Sequence, residues 1–267
     1  MLDTDRQIKD AVKEGYTRAI EQDGSCCACS CDGPQSTARE LGYAEGDLDT
    51  LPEGATENSF GCGNPLAFTG VEPGQTVLDI GSGAGLDCLI AADRVGPSGR
   101  VIGLDMTPAM IDKARTNATE AGLTQIEFRL GEADQMPVED NSVDWVISNC
   151  VINLAPDKYK VFAEVARTLK PGGRVSISDI VLSDELPGEV VSHVDALVGC
   201  IGGAIKEGDY LDAMRRAGLV EATVTERAHY GAEQLEGFLQ DDSADLKQWA
   251  ARLDGRVWSA RIHGRKP

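Results

Sequence analysis

The sequence predicts an α/β fold built on a parallel sheet covered by helices on both faces. Three observations point there. From Gly74 onward short apolar runs alternate with helical stretches; the first run, TVLDI, leads at once into the glycine-rich turn GSGAG at 81–85; and the second, RVIGLD, ends on an acidic residue, Asp105. Strands that are apolar throughout, with helices between them, are buried on both sides.

The elements follow in order. Residues 7–20, QIKDAVKEGYTRAI, put Ile8, Ala11, Val12, Tyr16, Ala19 and Ile20 on one helical face. A thiol run, SCCACSC at 25–31, comes next, and then a stretch from 32 to 75 rich in Gly, Pro, Ser and Thr, with a short helix expected around Tyr43–Leu51 and the landmark GCGNP at 61–65. That composition reads as a flap over a site. After TVLDI come a helix from Leu86, the strand RVIGLD, a helix after Pro108, the strands IEFRLG and VDWVISN, a helix over 157–169 and the strand RVSISDIVL. Beyond 182 a helix near 207–217, a strand near 219–228, a helix near 232–239 and a last strand near 256–265 are expected. The organisation is therefore a helix, Cys-rich segment and flap over 1–70, a core over 71–230, and a helix and strand over 231–267 that complete the sheet.

Composition narrows the function classes. Asp and Glu number 44 against 25 Lys and Arg, a formal charge of −19, so nucleic acid and anionic membranes are repelled. Solubility is the simplest use of that charge, and a high-salt habitat fits it too. The N-terminus, MLDTDRQIKD, lacks the basic and apolar regions of an export signal, and the longest apolar run, ALVGCIGGAI at 196–205, is about half of a membrane span. The expectation is a cytoplasmic protein with no membrane or nucleic-acid partner. Eight cysteines in such a chain, four of them single at Cys62, Cys88, Cys150 and Cys200, favour thiol chemistry or ligation over a disulfide scaffold.

The turn after TVLDI is the sharpest local motif. Its glycines let a ligand lie against the backbone at a helix N-terminus. The spacing is G-x-G-x-G rather than the dinucleotide G-x-G-x-x-G, although Asp105, 20 residues beyond Gly85, is placed to take ribose hydroxyls. Asp79 before the turn, GEADQMP at 131–137 and LKPGGRVSI at 169–177 are not dinucleotide features. Together these motifs resemble the class I S-adenosylmethionine-dependent methyltransferases over residues 70–230, and the resemblance implies a Rossmann-like, mostly parallel seven-stranded sheet. It further implies that Asp79, Gly81, Ser82 and Gly83 flank the methionine part of S-adenosylmethionine, that Asp105 takes the ribose, that Met106 packs on adenine and Asp134 meets its amino group, and that Asn149 joins the cofactor residues. A dehydrogenase or a non-catalytic relative of the fold is the alternative.

The acceptor is read from the carboxyl edge of the sheet. Cys150, in SNCVINL, follows the fourth strand; Cys62 sits in the flap; Cys200, in GCIGGA, follows the fifth strand. A thiol is a poor base for an oxygen or nitrogen acceptor but a good ligand for a soft, thiophilic centre. The stretches LGYAEGDLDTLPEGA, GCGNP, SNCVINLAPDK and GCIGGA then resemble the arsenite S-adenosylmethionine methyltransferases. This implies trivalent arsenic, as arsenite or methylarsenite, bound by Cys62, Cys150 and Cys200, with Cys26 or Cys27 as the N-terminal thiol, while Cys29 and Cys31 depart from the family pattern. It also implies a role in arsenic detoxification and a cysteine pair, Cys62 with an N-terminal cysteine, that becomes a disulfide and is reduced by thioredoxin or glutathione. Cys88 reads as packing, and His193, His229 and His263 show no metal-ligand spacing. Two rivals stand beside this reading: a quinone-biosynthesis-like carbon methyltransferase, and a non-enzymatic metalloid- or zinc-binding protein built on the thiol run.

Overall fold

The computed structural model describes residues 5–21, 43, 45–48, 51–56, 61–67, 69–186, 200–232, 234–235 and 244–267. Strands β1 (Thr76–Ile80), β2 (Arg100–Asp105), β3 (Ile126–Leu130), β4 (Val143–Asn149) and β5 (Leu169–Leu182) pair in parallel in the order β3-β2-β1-β4-β5. Two more strands, β7 (Val220–His229) and β8 (Val257–Arg265), extend the sheet beyond β5, with β8 antiparallel to both neighbours. These are the seven strands expected. An eighth, the two-residue β6 (Ile205–Lys206), pairs with Val181 and Leu182 of β5 and is too short to leave a periodic signal in sequence.

Helices α1 (Asp5–Glu21), α2 (Glu45–Leu48), α3 (Glu53–Thr56), α4 (Leu86–Val95), α5 (Pro108–Glu120), α6 (Lys158–Thr168), α7 (Glu207–Arg216) and α8 (Ala244–Leu253) complete the description. Alternation along the strands divides the core. Val77, Val101, Trp145 and Ile147 face α4 and α5 through Leu89, Ile90 and Ile111, whereas Leu78, Ile80, Val146 and Val175 face α6 and α7 through Phe162, Val165 and Tyr210. A third apolar cluster, holding Val12 of α1, Cys62, Cys150, Leu154, Cys200 and Leu253, sits beyond the carboxyl ends of β4 and β5. Because the strand order reverses between β1 and β4, a crevice opens at their carboxyl ends.

Two expectations shift. Helix α8 is absent from the sequence-based expectation, although Leu246, Trp249, Ala250 and Leu253 recur at the i, i+3, i+4, i+7 spacing of an amphipathic helix. Of the helix expected near 232–239, the described residues Ala232, Gln234 and Leu235 are helical. The strand expected from Arg174 starts at Leu169, with Gly172 at φ 80° and a register shift between Val143 and Trp145 taking up the Pro-Gly-Gly kink. The thiol run at 25–31, with Cys26 and Cys27, lies outside the described residues. Among those described, no helix is long and apolar enough to cross a membrane.

Candidate active site

A partly open cleft lies over the carboxyl ends of β1, β2 and β4. Its floor is the glycine turn. Gly81, at φ 72°, and Ser82 donate their backbone N–H groups to the Leu104 carbonyl at 2.7 and 2.9 Å, folding the turn across β2. A Cβ on Gly81 would lie 2.2 Å from Val151 Cγ2, so no larger residue fits. Gly85, at φ 96°, then starts α4.

Asp105 closes one wall. Its Oδ2 accepts from the Gly83 amide at 3.0 Å and its Oδ1 from the Thr107 amide at 2.8 Å. Burial raises its pKa, and the amides of Thr107 and Gly83 work against that rise. Ser82 Oγ, also on the wall, is buried and has no hydrogen-bond partner among the described residues. Such a hydroxyl calls for a polar group from a ligand. Met106 lines the cleft beside Asp105, and Asp134 stands across from it. Lys9, from α1, donates to Asp134 Oδ1 and Oδ2 at 2.9 and 2.7 Å and to Glu132 Oε2 at 2.6 Å. Burial works against that ammonium, but its bonds to Asp134 and Glu132 prevail and hold its pKa above the ordinary lysine value.

Behind the turn lies a buried polar knot. Asp79, 2% exposed, accepts the Cys88 thiol at 3.3 Å; burial first, and then the neighbouring Asp87, push its pKa well up. Burial and Asp79 likewise push up the Cys88 thiol, which disfavours the reactive thiolate. Of this carboxylate pair Asp87 lines the cleft and Asp79 does not. Asp87 accepts from the Tyr43 hydroxyl at 2.8 Å, and burial pushes its pKa up to about 6 against that bond. Asn149, at the end of β4, joins this knot to the flap. Its Nδ2 donates to the Gly63 carbonyl at 2.7 Å and to the Tyr43 hydroxyl at 3.0 Å, and its Oδ1 accepts the Cys62 amide at 3.0 Å. Gly61 is required here, since a Cβ would fall 2.3 Å from Asn149 Nδ2.

Of the three single cysteines expected to bind arsenic, Cys150 lines this cleft, and Cys62 and Cys200 are buried beside it in the same apolar cluster. Cys62 and Cys150 form a disulfide with Cα atoms 5.7 Å apart, and the Cys200 thiol donates to the Cys150 carbonyl at 2.8 Å. The pairing differs from the expected one, in which Cys62 meets an N-terminal cysteine. The reason is local: Asn149 holds the Cys62 amide, the Ser259 hydroxyl holds its carbonyl at 2.7 Å, and Cys150 is the next residue after Asn149. Cys150 and Cys200 also share a backbone anomaly, with φ of 60° and 65° in the left-handed region that non-glycine residues seldom occupy. Strain of this kind gathers at functional sites.

Sequence reasoning missed Asp179. One of its carboxylate oxygens lies within 4.8 Å of both Cys62 Sγ and Cys150 Sγ, and burial pushes its pKa up to about 7. Its oxygens accept from Asn153 Nδ2 at 2.8 Å, the Ile180 amide at 3.0 Å, the Tyr210 hydroxyl at 3.1 Å and the Asn153 amide at 3.2 Å. Four donors use the lone pairs a carboxylate offers, so Asp179 buttresses the thiols rather than ligating with them. Its one signal in the sequence is an Asp inside the apolar run VSISDIVL. Tyr43, Asp87 and Lys9 were missed as well, because their roles exist only in the folded contacts.

The donor set fits an adenosyl cofactor: a backbone cradle that a Cβ would fill, an acidic side chain oriented by two amides, and an unsatisfied buried hydroxyl. A family model described as a methyltransferase domain matches residues 71–218. The chain is 43% identical over 248 residues to an arsenite methyltransferase of Halobacterium salinarum, covering 93% of this chain and 60% of that protein. It is 38% identical to an arsenite methyltransferase of Aquipseudomonas alcaligenes, covering 82% of this chain and 64% of that one. It thus spans about three fifths of the length of these two relatives. Its fold matches a crystal structure of an arsenic(III) S-adenosylmethionine methyltransferase from Chlamydomonas reinhardtii with a TM-score of 0.64 and 32% identity, covering 87% of this chain and 74% of that one.

Proposed function

This chain belongs to the arsenite methyltransferase family, and from that premise we propose that it methylates trivalent arsenic, as arsenite and methylarsenite, for arsenic detoxification. One observation carries the reading: Cys150 lines the glycine-floored cleft, and from distant parts of the sequence Cys62 meets its sulfur and Cys200 its backbone carbonyl. The cleft is the place for S-adenosylmethionine, with Gly81, Ser82, Gly83 and Asp87 around the methionine part, Asp105 at the ribose, and Met106 and Asp134 at adenine. Asp79 supports the turn from behind. When bound, S-adenosylmethionine supplies an electrophilic methyl group on a sulfonium.

The protein's own part is positional and reductive. Cys150 and Cys200, with Cys62 reduced, exchange their thiols for the hydroxyls of arsenite, each thiol proton leaving with a hydroxyl as water. The held arsenic keeps its lone pair, and the apolar cluster around the thiols excludes bulk water. Methylation takes arsenic formally from the trivalent to the pentavalent state. Cys62 and Cys150 return it by giving up two electrons and two protons as they join in the disulfide. An external thiol reductant of the thioredoxin or glutathione kind then restores both, with Cys26 or Cys27 passing the bridge on by exchange. Such a cycle suits the reducing cytoplasm.

The test is incubation of the reduced chain with S-adenosylmethionine, a thiol reductant and arsenite, followed by arsenic speciation. Methylated arsenic in the presence of reductant, and little without it, is the expected result; no methylated species sinks the reading. A thiol blocker separates the rivals, since a carbon methyltransferase keeps its activity under the blocker and a non-enzymatic metalloid binder shows none before it.

A further inference from the structure

Helix α1 touches both halves of the site. Lys9, Val12 and Tyr16 stand three and four residues apart, on one helical face, and all three line the cleft. At one end Lys9 Nζ holds both oxygens of Asp134 and one of Glu132. In the middle Val12, fully buried, packs in the same apolar cluster as Cys62, Cys150 and Cys200. At the other end the Tyr16 hydroxyl meets Cys200 Sγ at 3.9 Å. One rigid element therefore spans the carboxylate assigned to adenine and the thiol assigned to arsenic.

Lys9 does not close Asp134 to a ligand. A carboxylate presents about four lone pairs, and the ammonium takes one on each oxygen, leaving an edge for an amino group. What Lys9 does is orient that carboxylate and fix α1 against it. The Lys9 side chain is one-fifth exposed and that of Asp134 less.

We infer that α1 is a strut shared by the donor and acceptor subsites, with Lys9 and Tyr16 as positioning residues that make cofactor and arsenic bind cooperatively. The inference rests on the function proposed for the site, in which the adenosyl group reaches Asp134 and arsenic reaches Cys200. A ligand that orders Asp134 favours the docked state of α1, which in turn seats Tyr16 on Cys200. By linkage, arsenic at Cys200 favours the cofactor by the same factor.

The experiment is calorimetric titration of the reduced full chain with arsenite, with and without saturating S-adenosylhomocysteine, which has no methyl to transfer. A phosphine reductant keeps the thiols reduced without competing for arsenic. In the parent, S-adenosylhomocysteine is expected to tighten arsenite binding at least about 5-fold. In Lys9→Met and in Tyr16→Phe each ligand still binds alone, but the mutual effect falls below about 2-fold; Lys9→Arg restores it. If the parent binds both ligands without coupling, or if both variants keep it, the strut is wrong while the proposed site stands. If the parent fails to bind either ligand, the proposed site fails and the strut with it. Should Lys9→Met melt early, Tyr16→Phe, which keeps the ring and loses only the hydroxyl, decides alone: lost coupling supports the strut and retained coupling overturns it.

Discussion

The two halves of the cleft are built by different means. The proposed donor half comes mainly from one piece of chain, β1 to Thr107, joined by Asp134, and the contacts within that piece are largely backbone: Gly81 and Ser82 on Leu104, Gly83 and Thr107 on Asp105. The proposed acceptor half is assembled from residues 62, 150 and 200, with Asn149 and Ser259 holding Cys62 and Asp179 beside the sulfurs of Cys62 and Cys150. A site made by the backbone of one motif tolerates change elsewhere in the chain. A site made by side chains from several segments depends on each of them.

That contrast has a direct chemical consequence. Cys200→Ser leaves the donor half untouched and removes a thiol from arsenic, so methylation of arsenite is expected to fall at least about 100-fold, a loss of about 2.7 kcal/mol of transition-state stabilisation. Arsenic speciation over time measures it, together with an unchanged affinity for S-adenosylhomocysteine. Full activity of this variant would erase the division between the halves.

The reciprocal change is smaller. Asp105→Asn removes the charge from two amide hydrogen bonds and from the expected ribose contacts. Hydrogen bonds to charged groups contribute about 1.5–3 kcal/mol, so S-adenosylhomocysteine should bind roughly 10- to 100-fold more weakly by calorimetry. Arsenite affinity measured without the cofactor should not move.

A third test concerns the knot between the halves. Burial raises Asp87 from 3.8 to about 6 in the folded chain. A carboxyl whose folded pKa exceeds its unfolded one favours folding below the unfolded value and loses that contribution as pH rises through the folded one. Urea midpoints should therefore fall between pH about 4 and about 7, and fall less in Asp87→Asn. An equal slope in the two chains would show that Asp87 is not the group responsible.

The contrast also explains what the sequence revealed. The succession of strands and helices, the glycine turn and Asp105 were legible because each rests on local spacing, and the three single thiols were legible because their flanking motifs are narrow. The partner of Cys62 was not, because it depends on Asn149 bringing the flap onto the end of β4. Lys9 and Tyr16 were visible only as members of an amphipathic helix; that their face spans two subsites is a tertiary fact. Asp87 reads as an ordinary first-turn acid of α4 until Tyr43 is seen upon it. The two-residue β6 escaped because it is too short for any alternation, whereas helix α8 carries a readable amphipathic pattern that the sequence reading passed over.

The left-handed backbone at Cys150 and Cys200 bears on how such a chain evolves. For an L-residue that conformation costs about 1–2 kcal/mol, and serine or alanine carries the same cost; glycine escapes it most fully. Selection for heat resistance therefore pulls both positions toward glycine, and selection for a working thiol pulls them back. A lineage freed from arsenic would be expected to lose these two cysteines early, and to gain a sturdier backbone as it did so.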